Sequence, residues 1–211
     1  MTRQEERAIV IAAPDDPTHA LEGIYVAGHG PDAAGAVIAP PHPLYGGSLE
    51  SPVVAEVAHA CARAGIATIR FNWRGVGASA GERSGEAADA DADYGAAVDY
   101  LAETISGPLL ATGYSFGAAA AVRASTRNPR IRRLVLVSPP PSLLDAEMLA
   151  AFSGRALLVA GGRDELAPAA ALEPLVDGEA RRSLEVIPEA DHFFMDGLAT
   201  VGRIIAEWLG H

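Results

Sequence analysis

Lysine is absent from this 211-residue chain, and all 16 of its basic side chains are arginine. That excludes a Schiff-base lysine, a phosphate-loop lysine and a Ser–Lys catalytic pair. Cysteine is nearly absent as well. Cys61 stands alone, so the chain holds no intramolecular disulfide and no cysteine-built zinc site. Positive charge is scarce against 27 acidic residues, and the net charge is -11. Such a field suits neither nucleic acid nor an anionic membrane, since both require a basic face. No stretch of ~18 uninterrupted apolar residues occurs, so no membrane span is expected. The apolar run Ala8–Ala13 follows a segment of mixed charge, Thr2 to Arg7, and stops at Pro14. It is too short for a signal core, and a cytoplasmic protein is expected. With 49% apolar residues, the length fits one domain over 1–211.

What is present alternates between strand and helix signals. Arg7–Ala12 and Leu21–Val26 form a strand pair split by Pro14-Asp15-Asp16-Pro17. Ala36–Ala39, Ile66–Phe71, Leu109–Thr112, Ile131–Val137, Arg155–Ala160 and Leu184–Ile187 are further short apolar strands. Helices are expected over Ser51–Ala64, Glu86–Glu103, Phe116–Ser125 and Gly197–Leu209. In the second of these, Ala88, Ala92, Ala96 and Tyr100 lie along one row and acids on the other face. The alternation predicts an α/β fold with a mainly parallel sheet covered by helices on both faces. In such a sheet, chemistry collects at the carboxyl ends of the strands.

Three segments at strand ends carry reactive residue types. Gly113-Tyr114-Ser115-Phe116-Gly117 follows a predicted strand and opens a predicted helix, the context of a nucleophile elbow. Glycines on either side let strand and helix approach around a strained serine. The helix start behind Ser115 offers unpaired N–H groups to an oxyanion. Asp164 lies just past Arg155–Ala160, where a carboxylate can reach a histidine on the next loop. It is preferred to Glu165. His192 follows Leu184–Ile187 and can meet both Ser115 and Asp164. His19, His29, His59 and His211 are worse placed. The chain order Ser115, Asp164, His192 is that of a serine-hydrolase triad. Asp89, Asp91, Asp93 and Asp99 invite a metal reading. Spacings of two point around a helix rather than to one face, so a solvated acidic face is expected, with no metal and no cofactor.

The chain resembles the α/β-hydrolase superfamily over nearly its whole length. It looks closest to small lidless, dienelactone hydrolase-like members whose front loop carries the segment seen here from His42 to Gly47. Phe71 to Ser79, Gly113 to Gly117, Gly161 to Asp164 and Asp191 to Phe194 match as well. The resemblance implies Ser115 as nucleophile, His192 as base and Asp164 as the acid that orients it. Asn72 stands where many members have aspartate, at a position of structural use. Arg74 and Gly75 are expected to shape their turn. The oxyanion hole needs two backbone donors. Phe116 supplies one. Because Pro40, Pro41 and Pro43 have no N–H, the other is His42, Leu44 or Tyr45, with Leu44 favoured. Only Ser138 to Gly154 separates two strands where relatives insert a cap, so an open, shallow site is expected, with no cap domain. Its walls would be Leu44, Tyr45, Phe116 and Phe193.

The expected activity is cleavage of a small carboxylic ester through an acyl-enzyme. Thioester, lactone or amide substrates are alternatives, as is a hydrolase-fold binding protein without turnover. The expected partner is a small-molecule ester, with no nucleic acid and no membrane, and a homodimer is left open.

Overall fold

A computed structural model describes residues 5–13, 16–30 and 32–210. The turn predicted at Pro14-Asp15 and the histidine His211 lie outside the described residues, as does the side chain of His19. Among the described residues, eight strands form one sheet in the order β1-β2-β4-β3-β5-β6-β7-β8. These are β1 (Glu6–Ala13), β2 (Asp16–Val26), β3 (Gly35–Ala39), β4 (Ala67–Phe71), β5 (Leu109–Tyr114), β6 (Ile131–Val137), β7 (Arg155–Gly161) and β8 (Arg182–Ile187). β1 and β2 form an antiparallel hairpin, and β2 is antiparallel to β4. All later pairings are parallel. The predicted strands and their parallel arrangement are therefore present.

Helices cover both faces: α1 (Pro52–Arg63), α2 (Ala87–Thr104), α3 (Phe116–Ser125), α4 (Ala146–Ala151), α5 (Ala169–Leu172) and α6 (Leu198–Leu209). Each central strand feeds two cores because successive side chains point to opposite faces. Leu134 and Leu136 of β6 pack with α2 and α3, while Val135 and Val137 pack with α1 and α6. Strands buried on both faces read as continuous apolar runs, which is why they were visible in the sequence. Among the described residues, no helix is long and apolar enough to cross a membrane.

Helix α2 departs in part from its expected orientation. Ala96 is buried and Tyr100 packs against the core, but Ala88 and Ala92 are exposed, and the buried row is Ala90, Tyr94, Ala97 and Leu101. The Tyr94 hydroxyl accepts the Thr112 N–H at 2.9 Å and faces the carbonyls of Val37 and Thr112. A polar group at the sheet thus selects the inward face, which apolar periodicity among alanines does not mark.

The acidic face is also corrected. Asp93 is buried and Asp91 is nearly so. Asp93 receives the Arg74 guanidinium at 2.8 and 3.0 Å and the Arg74 N–H at 2.8 Å. Asp89 meets the same guanidinium, and Asp91 pairs with Arg123 and Arg127. Asp91 and Asp93 are internal counter-ions for arginines, whereas Asp89 is half-buried and Asp99 is exposed as expected. Among the described residues, no cluster could hold a metal. Arg74 shapes its turn as expected by tying the loop after β4 to α2, and Gly75 there holds φ 68°.

Asn72 is buried between β2 and the loop that precedes α1. Its Oδ1 accepts the Leu49 N–H and its Nδ2 donates to Glu22, both at 2.8 Å. An aspartate in its place would oppose the Glu22 carboxylate, so the amide is the residue this neighbourhood requires.

Removing a buried carboxylate strands its partner, whereas removing an exposed one does not. Asp93→Ala is therefore expected to cost about 3 kcal/mol of unfolding free energy. Asp89→Ala should cost under about 1 kcal/mol. Urea unfolding of both variants checks this, and equal losses would contradict the internal pairing of Asp93.

Candidate active site

β5 ends at Tyr114 and α3 begins at Phe116, which leaves Ser115 alone to make the turn at φ 55° and ψ -118°. Neighbouring glycines make that turn possible. A methyl group on Gly113 would collide with the Gly117 backbone, and one on Gly117 would lie 2.6 Å from the carbonyl oxygens of both Ala39 and Pro40. The Ser115 N–H donates to the Val137 carbonyl at 2.8 Å. The elbow is thus wedged between β3 and β6, and the serine Oγ stands at the sheet's carboxyl edge.

The loop after β8 brings His192 to this point. Its Nε2 lies 3.0 Å from Ser115 Oγ. Its Nδ1 lies 2.8 and 3.0 Å from the two Asp164 oxygens. Three residues far apart in sequence therefore form one continuous chain, and all three are buried. Glu165, the rival acid, is exposed. Asp191 is spent on its own turn, accepting the N–H groups of Phe193 and Met195 at 3.1 and 3.2 Å. The Tyr114 hydroxyl donates to the His192 carbonyl at 2.8 Å, so the strand that carries the serine also holds the histidine loop. Phe194 is buried on that loop at φ 53°, its ring packed against Tyr114.

Burial alone would push the Asp164 carboxyl up. Hydrogen bonds from His192 and from the Ala167 N–H, together with the Ser138 hydroxyl nearby, outweigh it and hold the carboxyl below its ordinary value. The Leu166 N–H also donates to Oδ1, at 2.9 Å. The acid is therefore ionised and fixed, with its charge directed at the imidazole.

The front loop changes one expectation. The Leu44 N–H, favoured as an oxyanion donor, is already used, because it donates to His42 Nδ1 at 3.2 Å in a 3-10 turn over Pro43–Tyr45. The Tyr45 N–H donates to the His42 carbonyl. Sequence could not anticipate either bond, because both depend on the turn that follows Pro43. The His42 N–H has no acceptor among the described residues. The His42 ring packs 4.6 Å from the ring of Phe116, the first residue of α3.

Phe116 is also corrected as a wall. Its ring turns inward against Trp73, 5.6 Å away edge-on, and is buried. The apolar rim is built instead from exposed Leu44, Tyr45, Leu143, Leu166, Phe193 and Met195, on loops following β3, β6, β7 and β8. Leu143, Leu166 and Met195 were not singled out from sequence. Exposed large apolar residues gathered at one end of a parallel sheet are visible only after folding.

Comparison with known proteins agrees with the fold. The model of the family described as serine aminopeptidase, S33, matches residues 44–149. An uncharacterized protein of Rickettsia prowazekii is 30% identical over 207 residues, covering 92% of this chain and 85% of that protein. A structure from Agrobacterium tumefaciens, described as a protein of unknown function and a putative α/β-hydrolase, superposes with a TM-score of 0.87. It is 26% identical, with 97% of this chain and 95% of that one covered. A lidless α/β serine hydrolase from Xanthomonas campestris gives 0.81 at 25% identity, covering 98% and 94%.

Because the folded state holds Asp164 below its ordinary value, its stabilising contribution is present above the unfolded value of ~3.9. That contribution is lost as pH falls through the lower folded value. Unfolding free energy should therefore fall on acidification below about pH 4, and Asp164→Asn should fall less steeply there. Denaturant titrations between pH 2.5 and pH 7, spanning the ~3.9 reference, measure the difference. Parallel curves would contradict it.

Proposed function

This chain belongs to the α/β serine hydrolases, and on that footing we propose that it cleaves small carboxylic esters through a covalent acyl-enzyme on Ser115. The observation that supports this best is the unbroken relay from the Asp164 carboxylate through His192 to an elbow serine at 2.8 and 3.0 Å. In the first step the Ser115 oxygen bonds to the substrate carbonyl carbon, and its proton passes to His192 Nε2. The carbonyl oxygen takes the negative charge and is held by the N–H groups of Phe116, at the first position of α3, and His42. Asp164 keeps the Nδ1 proton in place and stabilises the imidazolium. His192 then returns its proton to the departing alkoxide as the carbon–oxygen bond breaks. Water repeats the cycle on the acyl-enzyme and releases the acid.

Substrate size follows from the rim. Between β6 and β7 the chain has room for α4 alone, so the walls are surface side chains such as Tyr45 and Phe193. Each further buried CH₂ is worth ~0.8 kcal/mol, about fourfold in binding, but only where a wall exists to cover it. Acetyl and butyryl esters should be cleaved readily, and efficiency should stop rising at moderate chain length. The description of the matched family supports amide cleavage as a second reading, since the same relay can protonate a leaving amine.

A fluorophosphonate should add one label per chain, and Ser115→Ala should abolish it. Turnover should fall by on the order of 10⁶, as in proteases that lose a triad serine. Asp164→Asn should lower kcat by up to ~10⁴, because the amide favours the wrong imidazole tautomer. Undiminished turnover of p-nitrophenyl acetate by Ser115→Ala would overturn the mechanism. A series of p-nitrophenyl esters of increasing acyl length, assayed beside matching amides, tests the substrate class. A kcat/KM that climbs to the longest acyl chains would contradict the shallow site.

A further inference from the structure

Ser138 is fully buried, and its backbone sits at φ 42°, where a residue with a side chain is strained. Its hydroxyl also has no partner within hydrogen-bond geometry among the described residues. An unsatisfied buried hydroxyl and a strained backbone at one position are two unfavourable features without local compensation. The position gives them a meaning. β6 lies between β5 and β7 in the sheet. Ser115 N–H donates to Val137, the last residue of β6, and Ser138 N–H donates to Val159 of β7 at 2.7 Å. Ser138 therefore stands at the carboxyl edge between the elbow and the loop that carries Asp164.

The group it acts on is the Asp164 carboxylate. The Ser138 hydroxyl favours the charged acid, although the two do not meet full hydrogen-bond geometry. Of the two carboxylate oxygens, Oδ1 accepts the Leu166 and Ala167 N–H groups as well as the imidazole. Among the described residues Oδ2 has the imidazole alone, and it retains acceptor capacity. We propose that Ser138 is a positioning residue that acts through Asp164: its hydroxyl donates to the carboxylate and so governs how strongly that acid engages His192. The inference rests on the reading of Asp164, His192 and Ser115 as one relay.

The titratable groups around the carboxylate are few. His192 faces it from the loop after β8, and the Tyr114 phenol of β5 feels both Asp164 and Asp191. On its own loop, Glu165 points to solvent and Arg163 is paired with Glu189. Without the hydroxyl donor, the carboxylate is more basic and binds the imidazolium more tightly. His192 then keeps its proton to higher pH, and the rising limb of kcat/KM moves with it.

Two variants separate this role from a steric one. Ser138→Ala removes the hydroxyl and keeps the strained backbone. Ser138→Gly removes the hydroxyl and relieves the strain. The His192 imidazole is titrated by NMR in each full-length variant, and the pH profile of kcat/KM is measured on p-nitrophenyl acetate. Both variants should move the midpoint upward by about half a pH unit. Activity below the midpoint should then be about threefold lower, with the alkaline plateau kept. Midpoints unmoved in both variants, or moved in the alanine variant alone, would overturn the proposal and leave Ser138 a packing residue. Failure of the unsubstituted chain to take up a fluorophosphonate would instead overturn the hydrolase reading, and the NMR titration would still decide the role of Ser138.

Discussion

The backbone of Ser115 occupies a region that costs an ordinary residue about 1–3 kcal/mol and persists only where its surroundings over-determine it. Here the surroundings are close backbone approaches. Gly113 and Gly117 face one another across the turn without side chains, and Gly117 also lies against the carbonyls of Ala39 and Pro40. The elbow is therefore clamped between β3 and the start of α3. That clamp sets where the serine oxygen stands, and the rest of the site is placed relative to it. The His42 ring rests on Phe116, and the Tyr114 hydroxyl holds the carbonyl of His192. Strain at one residue is sustained by packing on several sides.

Electrostatics follow the same economy. A chain with a net charge of -11 and arginine as its only strongly basic side chain places those arginines where a planar, permanently charged group has several acceptors. Arg74 ties the loop after β4 to Asp89 and Asp93 of α2, and Arg123 and Arg127 share Asp91. Arg130 donates to the carbonyls of Ala102, Ile105 and Gly107 near the end of the same helix. Among the described residues, the buried Asp164 pairs with no arginine. Its charge is held by backbone N–H groups and the imidazole, which leaves it free to act on His192.

Much of this was legible in the residue order. The parallel strands are buried on both faces and appear as short apolar runs bounded by turn residues. The elbow announces itself through its two glycines, and Asp164 and His192 through their places just past strand ends. The misreadings share a cause. The inward face of α2 is set by the Tyr94 hydroxyl at β5, and the pairing of its acids is set by Arg74 from another loop. The Leu44 N–H is consumed by the side chain of His42 only because the loop turns at Pro43. Each depends on a polar contact between segments that no local period encodes.

The sequence by itself determined the alternation of strand and helix, the strand ends where reactive side chains emerge, and the order of Ser115, Asp164 and His192. Those features rest on side-chain periodicity, glycine stereochemistry and residue chemistry, all properties of neighbours along the chain. Only the tertiary structure decided that the three side chains meet, that Phe116 turns inward while Tyr45 and Phe193 stay exposed, and that Ser138 lies buried beside Asp164. Those features depend on which strands lie side by side and on how tightly their carboxyl ends pack, and these are settled when the sheet closes around its two cores.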